Sequence, residues 1–151
     1  MRSIGIRAAP KEVIFAVCES DPLAVLNVEP IRVPAALTIP ESLKYLRSNL
    51  LDILREYQIE KAGIRTTEPS AQSLSIERIQ IEGVLQEAFA SSMLRSYYAG
   101  PIATIASKLQ INRGDFKLII DGDNHFGVEN WAKMKPNERE AILTAMGAFG
   151  V

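Results

Sequence analysis

Apolar residues recur along the chain with two different periods, and the switches between them mark out its elements. In the stretch after Pro69, Ile81, Val84, Leu85, Ala88 and Phe89 fall at i, i+3, i+4, i+7 and i+8. That spacing predicts a long helix, Ser73 to Met93, with one apolar stripe lying against a sheet. A strand Lys61 to Thr67 is expected before it and a strand Leu94 to Tyr98 after it. Gly83 weakens the middle of this helix by about 1 kcal/mol relative to Ala, which predicts a close approach of a neighbouring backbone there. Thr38-Ile39-Pro40-Glu41 has capping-box spacing with Pro in the first turn, and Leu43, Leu46, Leu50, Ile53, Leu54 and Tyr57 continue it with helical period.

The runs Ser3 to Ala8 and Lys11 to Cys18, joined around Pro10, predict an antiparallel hairpin. Ala24 to Val33 reads as a third strand, and Pro30 within it places it at a sheet edge. Strand, helix, strand and helix in succession then require right-handed crossovers and parallel pairing. The expected fold is therefore α/β: a mixed five-stranded sheet, an antiparallel meander continued by parallel strands, flanked by helices. Gly100-Pro101 precedes a short helix, Ile102 to Leu109. Beyond it the pattern weakens: a strand Phe116 to Ile120, a turn at Asp121-Gly122-Asp123, a loop carrying His125 and Trp131, and a last helix, Asn137 to Phe149, with Pro136 in its first turn. Gly147 and Gly150 are spaced as a helix end.

Composition sharpens this picture in three places. With 151 residues and 47% apolar content, the chain suits one domain, 1–151, with a core that needs neither disulfide nor metal. A net charge of −1 argues against a dense basic face for nucleic acid, while leaving room for a local basic site. The single Cys18 sits in an apolar run and reads as a small buried hydrophobe. No apolar leader follows Arg2 and no run approaches 18 apolar residues, so a soluble, cytoplasmic protein without membrane contact is expected.

Several stretches resemble the RuvC branch of the ribonuclease H-like superfamily, whose element order is the one just derived. Gly5-Ile6-Arg7 resembles the Gly-Ile-Asp that ends the first strand of RuvC-type resolvases. Ala62-Gly63-Ile64-Arg65 resembles their strand ending in a catalytic Glu, and Gln80-Ile81-Glu82-Gly83-Val84 their Gly-containing helix. Tyr97-Tyr98-Ala99 resembles the strand after it, and Glu140-Ala141-Ile142-Leu143-Thr144-Ala145 the closing helix with its Asp-x-x-Asp-Ala. The chain is also similar to small bacterial proteins of that superfamily. The resemblance spans most of the chain and lapses over 110–135. It implies a two-metal site, yet the family's acids fall on Arg7, Arg65, Asn137 and Glu140, so one carboxylate survives. Guanidiniums repel Mg²⁺ and cannot coordinate it, so the resemblance implies a relative without catalytic residues, metal or cofactor.

The candidate site residues follow from this. Arg7 and Arg65 suit an anion or nucleic-acid clamp or an internal network closed by Glu140. Asn137 and Glu140 also have capping-box spacing, and Lys108 is either a phosphate contact or a solvated helix-end cation. Asp121, Asp123 and His125 are the rival metal candidates, against a plain polar turn. Tyr97, Tyr98 and Trp131 read as core rather than as base-stacking residues. Three functional readings remain: a non-catalytic binding or assembly module associated with nucleic acid, a nuclease rebuilt on Glu140, Glu68, Asp121 and Asp123, and a homodimer or protein-interaction module without nucleic acid.

Overall fold

In the computed structural model, which describes residues Met1–Val151, strands β1 (Arg2–Ala8), β2 (Glu12–Glu19) and β3 (Ala24–Arg32) form the antiparallel meander. Strands β4 (Lys61–Arg65) and β5 (Ser96–Gly100) extend it in parallel, giving the order β3-β2-β1-β4-β5. Pro30 does lie on an edge strand, where its missing N–H breaks no ladder on the open side. Helices α1 (Ile39–Glu56) and α2 (Ile76–Ser91) are the crossovers. They share one face of the sheet, where Leu46, Leu50, Ile81, Leu85 and Phe89 pack with Ile4, Ile6 and Ile64. The other face carries α3 (Ile102–Leu109), α4 (Arg113–Ile120) and α5 (Pro136–Ala148) over Ile14, Ala16 and Cys18. Strand β2 is covered on both sides, which is why Val13 to Cys18 reads as a continuous apolar run and not as an alternation. Burial there pushes the Cys18 thiol up to about 12.

Capping sets the helix bounds more tightly than periodicity does. The Ser75 hydroxyl accepts from the Arg78 N–H at 3.2 Å, so α2 starts at Ile76 and not at Ser73, and the chain leaves the helix at Ser92. The following strand is displaced from Leu94–Tyr98 to Ser96–Gly100, in register with Lys61–Arg65. The stretch 116–120, expected as a strand, is helical. The Asn112 side chain caps α4 by accepting from the Asp115 N–H at 2.8 Å, and Phe116 and Ile119 bury the face it turns inward. Local β propensity in Phe-Lys-Leu-Ile-Ile is outweighed by that cap and by burial at i, i+3. Helix α5 begins with Glu138, not Glu140, accepting from the Lys135 N–H at 2.8 Å, so the expected pairing of Asn137 with Glu140 as a cap is replaced and Glu140 is left free to face the sheet.

Gly83 also departs from expectation. It lies on the exposed face of α2, and a Cβ placed there would meet no atom within 4 Å. Its only effect on the monomer is the loss of helix propensity. Gly83→Ala is therefore expected to stabilise the fold by about 0.5–1 kcal/mol, read as a raised midpoint in urea; an unchanged or lowered midpoint would show that the position is constrained. Gly147 and Gly150 do flank a helix end, since α5 stops at Ala148 with Phe149 as its cap, and Gly147 in the last turn lies against the Tyr98 hydroxyl.

Candidate functional site

The close backbone approach occurs at another glycine, Gly5, and its neighbour Gly63 lies against the Tyr98 ring and the Thr144 carbonyl. Strands β1 and β4 pair in parallel with Ser3 beside Lys61, Gly5 beside Gly63 and Arg7 beside Arg65. Alternation sends Ile4, Ile6, Ala62 and Ile64 to the α1/α2 face and these three pairs to the α5 face. The Ser3 hydroxyl donates to the Ala145 carbonyl at 2.7 Å, and Lys61 Nζ donates to the Phe149 and Val151 carbonyls at 3.1 and 2.7 Å. Between them the glycines leave room for α5 to lie directly on the strands, and Tyr98 donates to the Thr144 carbonyl at 2.7 Å. This docking carries Glu140, one turn nearer the N-terminus of α5, to the ends of both strands.

There the two arginines meet it. Arg7 Nε donates to Glu140 Oε2 at 3.3 Å. Arg65 Nε lies 3.1 Å from Glu140 Oε1, close enough for an ion pair, but its N–H is not aimed at the oxygen and neither atom has a hydrogen bond. Arg65 is further held by Glu68 Oε1 at 3.2 Å and donates from Nη1 to the Thr66 carbonyl at 2.8 Å. Its side chain is 7% exposed and that of Glu140 10%. Burial draws the Arg65 guanidinium below its ordinary value, an effect that Glu140 opposes and Arg7 reinforces.

Two further arginines, absent from the residues singled out by sequence, complete the cluster. Arg78 on the first turn of α2 sits 2.8 Å from Glu82, which is buried and accepts from the Thr67 N–H and hydroxyl at 3.0 and 2.9 Å. Arg113 at the start of α4 reaches Glu68 at 3.6 Å, while Glu68 also accepts from the Ile102 N–H at 2.9 Å. In sequence, Arg78 and Glu82 look like an ordinary i, i+4 surface pair; only the Thr67 side of the contact distinguishes them.

The remaining candidates lie apart. Lys108 is exposed, its Nζ 5.9 Å from the centre of the Tyr98 ring. Asn137 makes no cap, and Asp121, Asp123 and His125 are exposed after α4. Asp121 shares a cavity of about 160 Å³ with Glu140, Lys117 and Phe116. No three His, Cys, Asp or Glu side chains come together in a way that could hold a metal ion, and the carboxylates nearest the strand ends are already committed to guanidiniums and backbone N–H groups. That donor set does not fit a divalent cation. Of the aromatics, Tyr98 and Trp131 are core, whereas Tyr97 is 44% exposed and packs on Phe89. Arg139, likewise not foreseen, is buried and donates to the carbonyls of Trp131, Ile120 and Ala132, tying 110–135 to α5.

No family model matches the chain, and no curated protein does. Solved structures do. T. thermophilus RuvC in complex with Holliday junction substrate superposes with a TM-score of 0.73 at 14% identity, over 99% of this chain and 93% of that one. The yeast mitochondrial Holliday junction resolvase Ydc2 gives 0.57 at 16% identity, over 98% and 77%. The fowlpox virus Holliday junction resolvase gives 0.51 at 12% identity, over 99% and 94%. No helix is long and apolar enough to cross a membrane. These superpositions run over nearly the whole chain, and the fold they show is ribonuclease H-like, of the RuvC type.

Proposed function

We propose that this chain is a non-catalytic RuvC-like module that associates with nucleic acid without cleaving it. The observation that supports this reading is Glu140, the one acid retained among the positions that the resemblance marks as catalytic. It lies between Arg7 and Arg65, 3.3 and 3.1 Å away. A carboxylate so placed has its charge taken up by two guanidiniums, whose positive charge also repels Mg²⁺. The neighbours' recognition of Holliday junctions supplies the substrate class to test. A labelled four-way junction is expected to be retarded in a gel shift in phosphate-free buffer, with retardation falling as salt rises, and to stay intact in millimolar Mg²⁺ or Mn²⁺. Metal-dependent cleavage that disappears in Asp121→Asn would instead favour a nuclease rebuilt around the cavity that Asp121 and Glu140 share. Failure to retard any junction, duplex or single strand would remove the nucleic-acid part of the reading.

A further inference from the structure

Three buried nitrogens beside the strand ends make no hydrogen bond, Arg65 Nε and Arg78 Nε and Nη2, and neither does Glu140 Oε1, 3.1 Å from Arg65 Nε. Glu82 is already engaged by Thr67. Its Oε1 accepts from the Thr67 N–H and its Oε2 from the Thr67 hydroxyl, and Arg78 Nε, 2.8 Å from Oε2, is out of line with it. Orphaned donors on a buried cation call for an occupant that the protein itself does not provide. Burial and then the proximity of Arg7 draw Arg78 below its ordinary value, an effect that Glu82 opposes.

We infer that this cluster binds one small tetrahedral oxyanion of the phosphate or sulfate class, with the Arg78 fork and Arg65 Nε as its donors. Planar guanidiniums suit two oxygens of such an anion at once. The enclosure sets the size: the side chains of Arg65 and Arg78 are 7% and 15% exposed, which suits a free anion and not a duplex backbone. The inference rests on the reading of the cluster as a site without metal, and is independent of whether the chain binds DNA. The test is thermal unfolding in inorganic phosphate against chloride at matched ionic strength, with titration calorimetry on the same protein. Phosphate at a hundredfold excess over its dissociation constant is expected to raise the melting temperature by roughly 5–10 degrees. Arg78→Gln, checked for folding by circular dichroism, should lose the rise, and Arg78→Lys, which keeps the charge but not the fork, should retain only part of it. No phosphate-dependent rise or heat in the wild-type protein would overturn the assignment whatever the variants do. So would an equal rise in Arg78→Gln, or an equal rise from an oligonucleotide with hydroxyl ends in place of phosphate. Loss of junction retardation with the phosphate effect intact would defeat the nucleic-acid reading alone.

Discussion

Glu140→Gln is expected to lower the stability of the fold by about 3–5 kcal/mol, the range for removing one partner of a buried ion pair. The substitution keeps the size of the side chain, so no cavity opens and the loss is electrostatic. Two guanidiniums that now share the carboxylate, Arg7 at 3.3 Å and Arg65 at 3.1 Å, would face one neutral amide in a region almost closed to water. Arg65 retains Glu68 and the Thr66 carbonyl; Arg7 has no second carboxylate among its ion pairs and carries the larger part of the deficit. Urea denaturation reads the change. A second substitution, Arg7→Met, made on Glu140→Gln, should recover part of the loss, because an apolar side chain in place of an unpaired charge removes the desolvation penalty. A loss below about 1 kcal/mol for Glu140→Gln would show that the contact is a solvent-screened pair of little weight, and the neutralised-site reading would go with it.

The fold was readable in the chain because its two periods are clean where the sheet is covered by helices. Ile81, Leu85, Ala88 and Phe89 mark the buried stripe of α2 without ambiguity, and Pro30 marks the edge. Reading failed at 116–120 because five residues of mixed β-branched and aromatic character fit either period, and the decisive signal, Asn112 three residues before Asp115, is a cap that reads just as well as a turn. The convergence of Arg7 and Arg65 was legible through the resemblance, which put both at the positions of the family's acids, and the parallel register of Ser-x-Gly-x-Arg with Lys-x-Gly-x-Arg is what brings them together. Arg78 was not. Its burial depends on Thr67, eleven positions earlier, folding back onto Glu82, and nothing in the helix itself records that contact.

Glycine was misjudged for a related reason. A mid-helix glycine attracts notice because it breaks a propensity rule, whereas a glycine in a strand after Ser3 looks unremarkable. The structure reverses their weight. Gly83 has nothing near it, whereas Gly5 lies directly under the α5 backbone and its partner Gly63 makes room for the Tyr98 ring and the Thr144 carbonyl. Removing the Cβ from two paired strand positions is what lets a helix approach this closely.

Gly5→Ala should therefore be severely destabilising, by at least about 3 kcal/mol, the upper end of ordinary overpacking. A Cβ at Gly5 would stand 2.1 Å from the Ala141 carbonyl oxygen, 2.2 Å from the Ala145 nitrogen and 2.8 Å from the Ala145 Cα. All three are backbone atoms of one helix, so no rotamer change relieves the clash and α5 must move as a body. The unfolded chain loses some freedom when glycine becomes alanine, but that gain of about 0.4–1 kcal/mol is too small to reverse the sign. Gly147→Ala makes a useful contrast, because its nearest neighbour is the Tyr98 hydroxyl at 2.6 Å, the tip of a side chain that can shift at the expense of one hydrogen bond. The three alanine variants should thus fall in the order Gly83, a gain; Gly147, a modest loss; Gly5, the largest loss. Displacement of α5 would also carry Glu140 away from Arg7 and Arg65, so any Gly5→Ala protein that still folds should respond less to a further Glu140→Gln change than wild type does. If Gly5→Ala instead melts within a degree or two of wild type, α5 slides freely on the strands, and the position of Glu140 between the two arginines is not fixed by the glycine pair beneath it.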